Sequence, residues 1–200
     1  MEKKKSKLII IEGPQGVGKT TITDHLRNII PYTNLLRLSG PNDSSKEGLK
    51  KVVKYYDSIL KFIESMENTG MNLLFDRTFF TEEVYCRLNM KDYSFTKYYN
   101  KYLKQLSKLD FNIYYINLYL SNVDNFKERL NREGKAKVSY AEFNIKSSIK
   151  QQDMYSHIFQ EVCSYWDSIV AYNVSTDERD IKENLKYIEN IINRELIHIG

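Results

Sequence analysis

The feature that most constrains this chain lies near its start. The apolar run Leu8-Ile9-Ile10-Ile11 breaks at Glu12-Gly13 into a loop with further glycines at 16 and 18. The loop closes on Lys19-Thr20-Thr21, after which Ile22, Leu26 and Ile29 fall on one helical face. Gly13, four residues, then Gly18-Lys19-Thr20 fills the pattern G-x-x-x-x-G-K-S/T at every fixed position, between a buried strand and an amphipathic helix as its chemistry requires. Glycines let backbone N–H groups turn inward around phosphate oxygens, and the positive end of the following helix points at the same anion. Gly13, Gln15, Gly16, Val17, Gly18, Lys19, Thr20 and Thr21 are therefore the expected cradle for nucleotide phosphates. Lys19 supplies charge to the outer phosphates, and Thr20 offers a hydroxyl to Mg²⁺ bridging two of them. The motif does not choose among kinase, GTPase, motor and ATP-driven switch. The guanine-reading tetrapeptide Asn-Lys-x-Asp is absent.

The rest of the chain repeats the strand-then-helix alternation. Buried-strand runs fall at Leu8 to Ile11, Asn34 to Leu38, Asn72 to Phe75, Ile113 to Leu120 and Ile169 to Val174. Helical periodicity links Leu49, Val52, Tyr56, Ile59 and Ile63, then Tyr155, Phe159, Val162 and Trp166, then Ile181, Leu185, Ile188, Ile192 and Leu196. Asp180 with Glu183 three residues on is a capping pair for the last of these. The expected fold is α/β: a three-layer sandwich with a five-stranded parallel sheet flanked by helices. With 200 residues and no repeat or linker, a single domain over 1–200 is expected. The polar stretch Ser39 to Glu47 follows the second strand, on the rim where parallel sheets bind ligands.

A net charge of +4, with Lys and Arg spread along the chain apart from Lys3 to Lys5, gives no arm for stable nucleic-acid binding. Cys86 and Cys163 have no partner at metal-binding or redox spacing, and no stretch has the length of a membrane span. A cytoplasmic protein without membrane attachment is expected.

What selects the reaction follows the third strand, in Phe75-Asp76-Arg77-Thr78-Phe79-Phe80-Thr81-Glu82-Glu83-Val84-Tyr85-Cys86-Arg87. Asp76 offers an acceptor for metal-bound water, and Arg77 a guanidinium fork suited to phosphate. This stretch resembles the Asp-Arg-Tyr-x-x-Ser-x-x-Ala-Tyr-Gln segment of thymidylate kinases. Glu12-Gly13 through Thr20 is similar to that family's Glu-Gly-x-Asp-Gly-x-Gly-Lys-Ser/Thr, and Arg37-Leu38-Ser39-Gly40-Pro41 to its Arg-Glu-Pro-Gly loop. The resemblance implies that Arg37 and Arg77 grip the phosphate of a nucleoside monophosphate, that Tyr85 presses on the sugar, and that Tyr55 or Tyr56 stacks on the base. Phe126 to Lys137 resembles the family's helical lid, here about 127–142, whose arginines close over the transferring group. Arg129 and Arg132, at i and i+3, would point into the cleft. Asn173-Val174-Ser175 is similar to the loop that flanks adenine in these kinases. The resemblance also implies ATP and Mg²⁺ as cofactors, nucleotide substrates, and a homodimer.

The chain departs from that pattern at three places. Gln15 stands where the family carries an acid, Cys86 replaces a polar residue, and no arginine follows Tyr55 or Tyr56 by four residues, which opens the base preference. Nucleoside kinases resemble the chain too, with Glu-Arg-Ser where it has Asp76-Arg77-Thr78. They place a glutamate after the second strand, where only Asp43 could serve as general base. A monophosphate oxygen is already anionic and needs no base. The expectation is an ATP-dependent deoxynucleoside monophosphate kinase, dTMP first among acceptors, with Lys19, Asp76, Arg77, Arg129 and Arg132 at the reacting group. The alternatives are a deoxynucleoside kinase or kinase of a modified base, with Asp76 or Asp43 as its base, and an ATP-dependent switch or binding module.

Overall fold

The computed structural model describes residues 5–131 and 141–193. The elements run β1 (Lys7–Glu12), α1 (Lys19–Ile29), β2 (Thr33–Arg37), α2 (Lys46–Ser65), β3 (Asn72–Asp76), α3 (Phe79–Arg87), α4 (Thr96–Leu106), β4 (Asn112–Tyr119), α5 (Asn125–Asn131), α6 (Ala141–Tyr165), β5 (Ile169–Ser175) and α7 (Ile181–Asn193). The strands pair in the order β2-β3-β1-β4-β5, every neighbour parallel, with Ile10 opposite Phe75 on one side and Tyr115 on the other.

β1 is an unbroken apolar run because it is central and covered on both faces. Leu8 and Ile10 point into a core shared with α2, α3, α4 and α6, whereas Ile9 and Ile11 point into a second core shared with α1, α5 and α7. This is the expected three-layer sandwich. All five strands stand where their apolar runs place them, each bound within a residue of the sequence reading. The α7 start is also as read: Asp180 Oδ1 accepts the Glu183 N–H at 2.9 Å. Leu196 lies outside the described residues.

Three helices were not legible as periodic segments: α3, α4 and the short α5. α4 turns its inner face through Tyr99, Tyr102, Leu103 and Leu106, and two of these four are tyrosines set among lysines. Those rings belong to an aromatic cluster that seats α3 against the sheet. Phe79 stacks on Phe80 at 4.7 Å, Phe80 meets Tyr115 at 4.5 Å, and Phe79 meets Tyr102 at 5.5 Å. Such pairs contribute about 0.5–1.5 kcal/mol each beyond area burial. The cluster thereby fixes the start of α3, and with it the direction of Arg77. Among the described residues no helix is long and apolar enough to cross a membrane.

The chain leaves β1 toward β2 on one side of the sheet and later crosses to β4 on the other, so the carboxyl end of β1 is the switch point where a ligand crevice opens.

Candidate active site

The loop after β1 wraps tightly because its glycines permit two close approaches. At Gly13, with φ +135°, a Cβ would lie 2.4 Å from the Leu118 carbonyl oxygen. At Gly16 it would press on Leu130 at 3.3 Å and Phe126 at 3.4 Å, so α5 sits directly on the loop. Lys19 Nζ donates to the carbonyls of Gly13 at 2.8 Å and Pro14 at 2.6 Å. A cavity of about 620 Å³ opens over the loop, walled by Gln15 to Ile22, by Asp76 and Arg77, and by Arg129, Thr176 and Arg179. Among the described residues, no backbone bond is made by the amides of Gln15, Gly16 and Gly18, which suits a ring of phosphate oxygens. Thr20 and Asp76 line the same cavity. Oxygen donors of this kind fit Mg²⁺. No group of three His, Cys, Asp or Glu assembles among the described residues, so such an ion would depend on substrate phosphates and water for its other ligands.

Arg77 terminates β3 at φ +72°, a left-handed conformation that costs a non-glycine residue about 1–2 kcal/mol. Its N–H is held by the Ile11 carbonyl at 3.1 Å, and its Nη1 donates to the Tyr85 hydroxyl at 2.8 Å. Burial works against its charge, but Tyr155, Tyr85 and Glu12 outweigh that and hold the guanidinium firmly protonated. A second cavity, about 290 Å³, lies on the far side of Arg77. Leu38 to Asn42, Tyr56, Thr78, Thr81, Glu82, Tyr85 and Lys91 line it with Arg77 itself. Arg77 therefore borders both chambers.

Beneath Arg77 lies Glu12, fully buried. Its Oε1 accepts the Thr78 N–H at 2.6 Å and the Thr78 hydroxyl at 2.9 Å, and its Oε2 accepts the Thr81 hydroxyl at 2.8 Å. Tyr155 Oη meets Thr81 Oγ1 at 2.6 Å. Burial dominates and pushes the carboxyl up to about 7, against the lowering pull of Thr81, Thr78 and Arg77.

No protein-family model and no curated protein sequence matches this chain. Solved structures do. A thymidylate kinase from Candida albicans superposes with a TM-score of 0.62 at 16% identity, over 94% of this chain and 91% of that one. A deoxyadenosine kinase from M. mycoides with bound dATP gives 0.58 at 18% identity, over 94% and 99%. Polyphosphate kinase 2 from Arthrobacter aurescens TC1 gives 0.58 at 19% identity, over 85% of this chain and 61% of that one. The fold is that of P-loop nucleotide kinases of the thymidylate kinase and deoxynucleoside kinase type.

Within this nucleotide-kinase fold, most of the residues singled out in the sequence converge on the two cavities. Tyr85 reaches the smaller one. Tyr56 is 2% exposed, packed among Phe79, Phe95 and Tyr102, and its hydroxyl donates to the Thr78 carbonyl at 3.2 Å, so the ring belongs to the core and its polar end faces the cavity. Arg129 lines the larger cavity, donating to Thr176 Oγ1 at 2.9 Å and to the Thr176 carbonyl at 2.6 Å. Arg132 and 132–140, the middle of the expected lid, lie outside the described residues.

Three features singled out in the sequence stand apart from the two cavities. Arg37 lines neither cavity: it is paired with Asp24 of α1, with its Nε 3.9 Å from Asp76 Oδ2 on the rim. Asp43, a base that the nucleoside-kinase alternative would use, is engaged by its own neighbours. It accepts Lys51 Nζ at 2.6 Å, the Ser45 hydroxyl at 2.6 Å and the Ser45 N–H at 3.1 Å at the approach to α2, and these bonds hold its carboxyl well below the usual range. Asn173 to Ser175 are still strand, with Asn173 bonded across to Asn117. The wall of the larger cavity comes from Thr176 and Arg179 just beyond.

The sequence reading also missed Glu12 as a buried acid and Arg179, which stacks on Tyr187 at 4.7 Å. It missed the group formed by Glu82, Tyr93 and Lys91 as well. Only Glu12 carried a signal, since a charged residue ending a buried apolar run must find partners inside.

Proposed function

We propose that this chain transfers the γ-phosphoryl group of ATP to a deoxynucleoside monophosphate, dTMP first, giving dTDP and ADP. The observation that carries the reading is the position of Arg77, whose guanidinium borders both the phosphate-loop cavity and the smaller cavity beside it. A phosphoryl group passing between the two meets the same fixed charge throughout, and phosphoryl transfer gains chiefly from such positioned charge. Lys19 and the loop amides hold the donor phosphates, and Thr20 and Asp76 would hold Mg²⁺. That ion, when bound, neutralises charge on the donor oxygens. Arg77, oriented by Tyr85, grips the acceptor phosphate, and Arg129 closes the donor side. With Asp43 committed to Lys51 and Ser45, the base that a nucleoside hydroxyl would need is missing from the loop after β2, which favours an acceptor that is already anionic.

A deoxynucleoside kinase is the second reading, favoured by the carboxylate of Glu82 in the smaller cavity. ADP release with ATP and Mg²⁺, measured against dTMP, dUMP, dCMP, dGMP, thymidine and no acceptor, separates the two. Turnover with monophosphates supports the first reading, turnover with nucleosides alone refutes it, and acceptor-independent hydrolysis indicates a switch. In thermal shift, a monophosphate at 100 times its Kd should stabilise the fold by about 2.7 kcal/mol. Arg77→Ala should abolish that shift while most of the ATP shift survives.

A further inference from the structure

The smaller cavity holds one carboxylate that the proposed transfer does not use. Glu82, on the first turn of α3, is 3% exposed, and its Oε1 accepts the Tyr93 hydroxyl at 2.6 Å with the Lys91 ammonium 3.7 Å away. Tyr93 is not part of the cavity wall, so it holds the carboxylate from behind, whereas Glu82 and Lys91 both face the cavity. Among the described residues no hydrogen bond reaches Glu82 Oε2. That oxygen looks toward Gly40, where a Cβ would stand 3.1 Å from it and 3.5 Å from the Tyr56 hydroxyl, so the absence of a side chain there keeps the oxygen open.

A carboxylate only accepts and an ammonium only donates. Side by side in one cavity, they complement a planar ring edge that carries an N–H next to a carbonyl or ring-nitrogen acceptor. A ligand that covers this oxygen without giving it a donor leaves it unpaired at a cost, so the cavity favours the ligand that supplies one. We propose that Glu82, held by Tyr93 and set against Lys91, reads the base of the acceptor nucleotide: Oε2 accepts a base N–H, and Lys91 donates to the adjacent base acceptor. The inference rests on the assignment of this cavity to the acceptor. It names the residue that replaces the reader missing after Tyr55 and Tyr56.

The test compares kcat/KM for wild type, Glu82→Gln and Gly40→Ala across dTMP, dUMP, dCMP, dGMP and dAMP, with the best acceptor also tried in the N-methylated form that lacks the donated N–H. Wild type should reject the methylated form by about 10- to 100-fold, as loss of a hydrogen bond to a charged group implies. In Glu82→Gln, whose amide can turn to donate or accept, that rejection and the best-to-worst ratio among bases should both shrink by about tenfold. Gly40→Ala, which keeps every polar group, should raise KM for the best acceptor at near-constant kcat. An unchanged base ranking and unchanged methyl rejection in Glu82→Gln overturn the proposal. A uniform fall in kcat over all bases also overturns it, because that is the mark of a general base. Turnover with no acceptor at all in wild type would instead sink the kinase reading itself. An unaltered thermal shift by ATP in each variant shows that the donor side remains folded.

Discussion

Replacing Glu12 by Gln removes one buried titration and leaves a side chain of the same shape. Glu12 is fully buried, and desolvation raises its carboxyl from 4.5 to about 7 even though Thr81, Thr78 and Arg77 pull the other way. Because the folded-state value lies above the unfolded one, the folded protein binds the additional proton between about pH 4.5 and 7. The contribution is fully present below that window and is lost as pH rises through it. At about 1.4 kcal/mol per pH unit, this single group withdraws about 3 kcal/mol of stability by pH 8. Glu12→Gln carries no such titration, and its amide oxygen can still accept from Thr78 while the Thr81 hydroxyl rotates. Urea unfolding of both proteins at intervals from pH 4.5 to 8 measures the difference. The stability of Glu12→Gln relative to wild type should rise by about 3 kcal/mol across the range, a relative midpoint shift of about 1.5 M for a urea slope near 2 kcal/mol/M. A flat difference would refute the raised value. A difference of opposite sign would mean that Arg77 and the three hydrogen bonds outweigh burial.

Other variants probe the frame around the site. Gly13→Ala forces a Cβ to within 2.4 Å of a backbone carbonyl at φ +135°, and chemical denaturation should show a loss of about 3 kcal/mol together with a collapsed thermal shift by ATP. Arg87 Nε donates to Oε1 of the fully buried Glu83 at 2.7 Å and Nη2 to Glu161 of α6 at 3.0 Å; the Thr96 hydroxyl also donates to Glu83 Oε1 at 2.8 Å and Oε2 has no hydrogen bond, so Arg87→Met leaves the buried charge with Thr96 alone and should cost about 3–5 kcal/mol. Glu161→Ala, at the more exposed end of the same network, should cost under about 1 kcal/mol by the same denaturation. Asp177 accepts from the amides of Ser121 at 2.7 Å and Asn122 at 3.0 Å and from Asn125 Nδ2 at 2.9 Å, joining the loops after β4 and β5 beneath the larger cavity. Asp177→Ala should weaken ATP binding about tenfold by titration calorimetry, since Arg129 and Thr176 lose their footing.

The sheet was legible because its strands are short apolar runs, and a run covered on both faces announces itself without partners. The phosphate loop was legible because its chemistry needs fixed spacing. α4 was hidden because Tyr99 and Tyr102 bury their rings in a segment whose lysines read as surface. The partners of Asp43, Ser45 and Lys51, stand close by in sequence, and Asp-Ser-Ser ahead of α2 is a helix-start signature that already favours a capping role for it over that of a base. Arg37 could not be placed because its partners, Asp24 and Asp76, come from other elements. Glu82 was invisible for the same reason, since Gly40, Lys91 and Tyr93 reach it only through the packing of the loop after β2 and the segment after α3.

The central claim is that Arg77 serves two chambers between which a phosphoryl group moves. The most direct measurement supplies γ-labelled ATP, Mg²⁺ and unlabelled dTMP and follows the label. The account predicts label in dTDP, one per ADP formed, with the rate falling at least about a hundredfold in Arg77→Ala, as loss of a charge aimed at the transferring group implies. Label released only as inorganic phosphate, or dTDP formed at an undiminished rate by Arg77→Ala, would contradict it.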